Sequence, residues 1–191
     1  MEKEQIYQQL LEEIEHCKAC PLWEGRNRTV PGTGSLNARL MIIGEGPGAE
    51  EDKQGVPFVG AAGKLLDNML DAVGILREEV YIANIVKCRP PQNRAPKDDE
   101  SAACADFLSR QVELVDPEII LLMGSTAIQN YLSKDMRITK DRGKWMEKDG
   151  RKVLATFHPA ALLRDPRKKP DSFFDMLLVK RGLERNFNTE I

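Results

Sequence analysis

The sequence contains no apolar stretch long enough to cross a membrane, no internal repeat and no low-complexity tract. Its first residues lack the basic-then-apolar pattern of a secretory signal peptide. Aromatic residues make up 6% of the 191 residues, and the chain has only two histidines. These absences argue against a membrane protein, a secreted protein and a repeat protein. We expect one monomeric domain over residues 1–191, without a membrane partner, in the cytoplasm, where thiols stay reduced.

Positive charge shows no overall excess, since the formal net charge is -2, but it is concentrated in one segment. Residues 137–169 contain eleven Lys and Arg against four Asp and Glu, which leaves a net charge of -9 for the rest of the chain. This asymmetry fits a basic face that binds a polyanion on an otherwise acidic body. A run of solvated surface lysines would produce the same pattern.

Short apolar runs alternate with stretches of helical periodicity along the whole chain. We predict strands at 39–43, 80–86, 118–123 and 152–157, helices at 2–16, 61–73, 98–115 and 171–184, and a short helix after the third strand. Regular alternation of strands and helices indicates an α/β fold with a mainly parallel sheet. The predicted architecture is a three-layer αβα sandwich around a central, mainly parallel four-stranded sheet.

A glycine-rich loop follows the first predicted strand, with glycines at positions 44, 46 and 48. Glycines there let backbone N–H groups approach a ligand closely, at the sheet edge where open α/β folds bind ligands. Pro47 stiffens the loop and Phe58 offers an aromatic face. Neither Gly-Lys-Ser/Thr nor Gly-x-Gly-x-x-Gly is present, so a planar ring fits better than a phosphate chain. An ordinary strand-to-helix turn is the alternative.

Two polar side chains reach the same edge of the predicted sheet. Asn84 interrupts an apolar strand, and burying its amide without a partner would cost roughly 1–3 kcal/mol. Its partner is therefore a ligand or a neighbouring loop. His158 follows the last predicted strand, and Pro159 fixes the backbone after it. Each residue alone could be a structural hydrogen-bonding group, but together with the glycine loop they predict a pocket.

The four cysteines fall into a Cys-x2-Cys pair, Cys17 and Cys20, and a wide pair, Cys88 and Cys104. Four thiolates are the number that a tetrahedral metal ion or an iron–sulfur cluster needs. The wide second pair favours a [4Fe–4S] cluster, because its corners collect ligands from separate segments. Zinc is the second choice, and buried cysteines without a ligand are the remaining alternative.

Five motifs in order resemble the iron–sulfur uracil-DNA glycosylases of thermophilic bacteria and archaea, called family 4. They are Cys17-Lys-Ala-Cys20-Pro-Leu, Gly44-Glu-Gly-Pro-Gly-Ala-Glu-Glu-Asp52, Gly55-Val-Pro-Phe-Val-Gly60, Asn84-Ile-Val-Lys-Cys-Arg-Pro-Pro91 and His158-Pro-Ala-Ala-Leu-Leu-Arg164. The resemblance spans Cys17 to about Arg164. It implies a DNA repair enzyme that flips uracil out of DNA and hydrolyses its N-glycosidic bond, which leaves an abasic site.

The resemblance also implies roles for individual residues. An N-terminal cluster-binding segment would supply part of a structural [4Fe–4S] cluster held by Cys17, Cys20, Cys88 and Cys104. The uracil pocket would be formed by Glu45, Gly46, Pro47, Glu51, Phe58, Asn84 and His158. In that pocket Phe58 would stack on the base, Asn84 would read its edge, and His158 would contact O2. The loop 159–164 would enter the minor groove, with Leu162 as the wedge and Arg164 on phosphate. Uracil-containing DNA is the expected partner, with a sliding clamp or another repair protein as a candidate.

The chain departs from the better-known enzymes of this superfamily at two positions. They carry Asp where this chain has Gly46, and a Tyr that excludes thymine where it has Gly48. We take Glu45 as the candidate that positions the attacking water. A branch that bonds covalently to abasic DNA carries a Lys-Arg-Arg-Ile-His insertion, which segment 91–97 lacks.

Two other kinds of protein remain as alternatives. One is a non-catalytic, cluster-bearing module that binds DNA or a polymerase. The other is a nucleotide-binding redox enzyme that uses the cluster for electron transfer.

Overall fold

In the computed structural model, which describes residues 2–185, a single mixed sheet lies between two helical layers. Met1 and residues 186–191, which belong to the expected domain, lie outside the described residues. The strands are Thr33–Gly34 (β1), Leu40–Gly44 (β2), Val80–Asn84 (β3), Ile119–Met123 (β4), Met146–Lys148 (β5) and Arg151–Thr156 (β6). Their order in the sheet is β1-β3-β2-β4-β6-β5.

The four predicted strands are confirmed, and they form the parallel centre of the sheet as β3, β2, β4 and β6. The prediction of only four strands was wrong, because β1 and β5 add antiparallel strands at the two edges. These edge strands are two and three residues long and are partly exposed. Such short polar strands carry no apolar run that a sequence pattern could detect.

The helices alternate with the strands along the chain. They are Lys3–His16 (α1), Leu22–Gly25 (α2), Ala49–Gln54 (α3), Ala61–Ala72 (α4), Asp98–Val115 (α5), Ser125–Tyr131 (α6), Ile138–Asp141 (α7), Pro159–Arg164 (α8) and Lys169–Arg185 (α9). Short 3₁₀ turns occupy Arg77–Glu79, Pro91–Asn93 and Pro166–Lys168. Helices α1, α4, α5, α6 and α9 were predicted. Among the helices of residues 2–185, none combines the length and the apolar character that crossing a membrane requires.

Segment 159–164, predicted as a loop, is helix α8. Pro159 occupies its first turn, where a missing N–H costs nothing and the fixed φ favours the helix. The imidazole of His158 caps the same turn by accepting a hydrogen bond from the backbone N–H of Ala160. His158, which the sequence analysis predicts as a site residue, is therefore also the N-cap of α8.

The core consists of two apolar layers, one on each face of the sheet. Residues of α5 and α6, such as Val112 and Ile128, pack on one face together with Met41. Residues of α4 and α9, such as Leu70 and Met176, pack on the other face. Because the central strands are buried on both faces, they are continuous apolar runs in the sequence.

The carboxyl ends of the central strands meet at one edge of the sheet. Gly44 pairs with Asn84 at the ends of β2 and β3, and β6 ends at Thr156, two residues before His158. Helix α9 anchors Thr156, because the Thr156 hydroxyl donates to the carboxylate of Asp175 on that helix at 2.8 Å. Arg142 completes this anchor with two hydrogen bonds to Asp175, of 2.9 and 2.8 Å.

We expect Arg142→Met to lower the free energy of unfolding by about 3–5 kcal/mol, because it leaves a buried carboxylate without its cation. The Asp175 side chain is 1% exposed and that of Arg142 is 19% exposed. Arg39→Met is the control, since Arg39 and Glu118 pair at the surface, where such pairs contribute about 0–1 kcal/mol. Urea unfolding followed by circular dichroism measures both. Equal losses in the two variants would contradict the assignment of Arg142 as an anchor.

Candidate functional site

A pocket of about 530 Å³ opens at the carboxyl edge of the sheet, where β2, β3, β4 and β6 end. The seven residues expected to bind the base all line it, namely Glu45, Gly46, Pro47, Glu51, Phe58, Asn84 and His158. Arg164, expected to bind DNA, lies on its wall as well. The structure thus brings together residues that are up to 119 positions apart in the chain.

Asn84 lies at the base of this pocket and is 2% exposed. Its side-chain oxygen Oδ1 is buried and has no hydrogen-bond partner among residues 2–185. Gly44 provides the space for this amide, since a Cβ at position 44 would lie 2.5 Å from Asn84 Oδ1 and 2.7 Å from Phe58 Cζ. A buried carbonyl oxygen without a donor is costly, so the pocket offers it to a ligand that carries an N–H or O–H group.

His158 presents a neutral imidazole with a defined tautomer. Its Nδ1 accepts from the Ala160 backbone N–H at 3.1 Å, so the ring proton is on Nε2. Burial and, to a smaller extent, the positive charge of Arg164 together lower the pKa of His158 to about 4. The ring lies against that of Phe58, with centroids 5.5 Å apart and an interplanar angle of 28°. At neutral pH the residue therefore carries no charge, and its Nε2–H is the group that can donate a hydrogen bond to a ligand.

Phe58 is held in an unusual backbone conformation, with φ of 53°. Helix α4 approaches it closely, because Gly63 has no side chain and a Cβ there would lie 2.0 Å from the Phe58 carbonyl oxygen. Strained residues of this kind cluster at ligand sites, where the surrounding structure holds them in place.

Glu51 uses its carboxylate to hold two loops together rather than leaving it open to the pocket. One oxygen accepts from the Gly48 N–H at 3.1 Å, and the other accepts from the N–H groups of Val59 and Gly60 at 3.0 Å. The carboxylate thus joins the glycine-rich loop to the segment that carries Phe58. This structural role explains why Glu51 lies beside the pocket.

Glu45 also has a protein partner, which the sequence pattern does not predict. The hydroxyl of Thr126, in the first turn of α6, donates to the Glu45 carboxylate.

Asn93 and Arg94 also line the pocket, and the sequence analysis did not predict either of them as site residues. The two guanidinium hydrogen bonds from Arg94 lower the pKa of Glu100 to about 2. The feature that distinguishes this loop is its backbone conformation, because Asn93 has a φ of 55°. Residue types alone do not reveal such a conformation.

A second cavity is lined by all four cysteines. Burial raises the pKa of Cys20, Cys88 and Cys104, and neighbouring cysteines raise it further. Arg26 closes the cavity by donating to Cys88 Sγ at 3.3 Å and to the Cys17 carbonyl at 2.9 Å. Among residues 2–185, no three His, Cys, Asp or Glu side chains are close enough together to form the ligand set of one metal ion.

The prediction that Leu162 is the wedge was wrong. Leu162 is 1% exposed and belongs to the apolar core. Its neighbour Leu163 is 45% exposed. Successive residues of a helix point about 100° apart, so α8 buries one leucine and exposes the next.

Ion pairs neutralise more of the positive charge of segment 137–169 than its composition indicates. Six of its eleven basic residues form ion pairs, namely Arg142, Lys144, Arg151, Lys152, Arg167 and Lys168. Some of their acidic partners, such as Asp116 and Asp175, lie outside the segment. Charge counted along the chain therefore overstates the basic face.

Comparison with known proteins decides the family. The family model of the uracil DNA glycosylase superfamily matches residues 31–180. The chain belongs to the uracil-DNA glycosylase superfamily. It is similar to the type-4 uracil-DNA glycosylase of Thermotoga maritima, with 47% identity over 85% of this chain and 86% of that protein.

Two further relatives also place the chain in the type-4 branch. The type-4 uracil-DNA glycosylase of Sulfurisphaera tokodaii is 45% identical over 83% of this chain and 76% of its own length. That of Saccharolobus solfataricus is 45% identical over 91% of this chain and 85% of its own length. The family resemblance found in the motifs is thereby confirmed.

The imidazole of His158 should stay neutral, with its proton on Nε2, as the pH falls from 8 to about 5. Protonation is expected only near the lowered pKa of about 4. Arg164→Gln should raise this pKa toward its ordinary value, because the mutation removes a positive charge that disfavours the imidazolium. Imidazole ¹⁵N chemical shifts measure the tautomer and the titration, with His16→Gln to assign the signals. Titration of wild-type His158 near 6.5, or a proton on Nδ1, would contradict the assignment.

Proposed function

We propose that this protein is a uracil-DNA glycosylase of base excision repair, which removes uracil from DNA by hydrolysing its N-glycosidic bond. Residues 1–191 are then one glycosylase domain. The observation that carries the proposal is the buried Oδ1 of Asn84, which has no hydrogen-bond partner within residues 2–185 and lies in the pocket that His158 also lines. Membership of the type-4 branch supports the same activity.

The Asn84 amide can distinguish uracil from cytosine. Its Oδ1 accepts a hydrogen bond from uracil N3–H, and its Nδ2 donates one to O4. Cytosine presents an acceptor at N3 and a donor at N4, so with the amide in the orientation seen here it would leave a buried polar group unpaired. Sites built in this way reject the wrong ligand strongly, because the unpaired group costs free energy in every bound state.

His158 acts on the leaving group. As the glycosidic bond breaks, negative charge grows on uracil O2, and the Nε2–H of the neutral imidazole donates to it. A preorganised donor of this kind lowers the barrier because its hydrogen bond strengthens in the transition state. The base must first leave the duplex, and Phe58 lines the pocket with an aromatic face for it.

Glu45 is the group that we assign to the attacking water. It lines the pocket, and the Thr126 hydroxyl fixes one of its carboxylate oxygens. Gly46 and Gly48 have no side chains that could take this role. Gly46 and Pro47 contribute backbone to the wall on which the base rests, and Glu51 keeps that wall in place.

The four cysteines fit a [4Fe–4S] cluster with a structural role. They line one cavity, Arg26 donates to one of the sulfurs, and the buried residue Lys87 also lines that cavity. When bound, the cluster would cross-link the N-terminal segment to the chain after β3 and to α5. Hydrolysis of a glycosidic bond needs no electron transfer, so the chemistry of excision stays with the pocket residues.

We assign the wedge that replaces the flipped base to Leu163, with Arg164 beside it on the DNA backbone. Leu163 is the exposed leucine of α8, and Arg164 lines the pocket mouth. An apolar side chain that fills the vacated stack offsets part of the cost of base flipping.

The protein should convert a uracil-containing duplex into an alkali-labile product. In single-turnover assays His158→Ala should slow excision about 100- to 1,000-fold, the usual effect of losing one such donor, with little change in DNA affinity. His16→Ala, which alters the other histidine, is the matched control and should retain the wild-type rate. No alkali-labile product from the wild-type protein would refute the function. Equal losses in rate and affinity would remove His158 from the chemistry.

Leu163→Ala should slow excision most for uracil opposite adenine, less opposite guanine, and least in single-stranded DNA. The order follows the cost of extruding the base, which is lowest for unpaired bases. Leu162→Ala should instead destabilise the protein by about 2–5 kcal/mol, because it opens a cavity in the core. Single-turnover rates on the three substrates and urea unfolding of both variants test the distinction. A uniform rate loss in Leu163→Ala would mean that the wedge is another residue.

A further inference from the structure

Lys87 is a fully buried lysine that the excision chemistry described above does not use. It is 1% exposed and follows β3 by three residues. Its ammonium donates to the backbone oxygen of Asn84 at 2.8 Å and to Gln111 Oε1 at 2.6 Å. The acceptors that the ammonium has within residues 2–185 are thus both neutral amide oxygens.

Gln111 is itself held rigidly, which fixes the position of the lysine. Its Nε2 donates to the Pro31 carbonyl at 2.8 Å and to the Tyr81 hydroxyl at 3.1 Å. Tyr81 in turn shares a hydrogen bond with Tyr7 of α1 at 3.0 Å. A buried network that is satisfied in this way allows its members little movement.

Lys87 also belongs to the wall of the cysteine cavity, beside Cys88 and Cys104. The residue therefore lies between two sites, with the cysteine sulfurs on one side and the carbonyl of the uracil-reading Asn84 on the other.

Burying an ammonium group without an anion nearby is costly. Thiolates that ligate a metal group carry negative charge, and outer hydrogen bonds and charges tune such groups. A cluster held by these cysteines would supply the negative charge that the two acceptors of the Lys87 ammonium lack. Arg26, which donates to Cys88 Sγ, is a second cation at the same cavity.

We propose that Lys87 is a positioning residue that couples the cysteine-ligated cluster to the uracil pocket, by balancing the charge of the cluster while its ammonium fixes the backbone of Asn84. The inference rests on the proposed glycosylase function and on iron–sulfur ligation. It predicts that one side chain affects both the electronic properties of the cluster and the rate of excision.

The test uses anaerobically purified holoprotein and the length-matched variant Lys87→Met, which removes the charge and the donors. Iron content should be about four atoms per chain in the wild type. We expect the reduction potential of the cluster to become more negative in Lys87→Met, because a nearby positive charge is lost. The single-turnover rate should fall about 10- to 100-fold, as for other outer partners of metal ligands, with DNA affinity unchanged.

Lys180→Met is the matched control, because Lys180 lies on α9 at the opposite face of the sheet, with Gly74 and Glu184 as its contacts. It should keep the wild-type potential and rate. Gln111→Glu gives an independent variant that pairs the ammonium with a carboxylate, although it also removes the hydrogen bond that Gln111 Nε2 donates to the Pro31 carbonyl. It should also move the potential to more negative values, which keeps the proposal testable if Lys87→Met does not fold.

An unchanged potential in either Lys87→Met or Gln111→Glu would overturn the coupling, as would a wild-type excision rate in Lys87→Met. A wild-type protein that excises uracil but carries no iron would also overturn it, while the proposed function would stand. A wild-type protein that carries iron but excises no uracil would instead refute the function itself.

Discussion

The side-chain oxygen of Asn84 is buried at the end of β3 and accepts no hydrogen bond from residues 2–185. Other features of the pocket depend on keeping this oxygen in place and accessible to a ligand. The pairing of β2 with β3 puts Gly44 opposite Asn84, and only a residue without a Cβ fits there. The ammonium of Lys87 donates a hydrogen bond to the backbone oxygen of Asn84 and so fixes the backbone there. The sheet thus maintains one unsatisfied acceptor, which a base with an N–H group can satisfy.

Charged groups around the pocket are largely committed to the protein, and the groups left for the base are neutral. The Glu51 carboxylate bonds three backbone N–H groups, and Thr126 fixes Glu45. Burial keeps His158 uncharged, and its hydrogen bond to Ala160 leaves Nε2–H as the donor. An amide and a neutral imidazole suit a neutral base that becomes anionic as it leaves, because the donor is already oriented when charge develops.

The sequence predicted the parallel centre of the fold, since strands buried on both faces are continuous apolar runs. It also predicted Asn84 and His158 correctly as pocket-lining residues, because Asn84 is the last residue of β3 and His158 lies two residues after the end of β6. It could not predict the short edge strands, nor that α8 buries Leu162 and exposes Leu163. Nor could it show that Thr126 contacts Glu45 or that Lys87 lies between the two cavities. These depend on tertiary packing between segments far apart in the chain.

The most direct test of the account is a structure of the protein with free uracil bound. We expect Asn84 Oδ1 to accept a hydrogen bond from uracil N3–H, with a distance of about 2.9 Å between oxygen and nitrogen. His158 Nε2 should lie within the same range of uracil O2. Uracil bound elsewhere, or bound in this pocket while Asn84 Oδ1 stays without a partner, would contradict the assignment of Asn84 as the residue that reads the base.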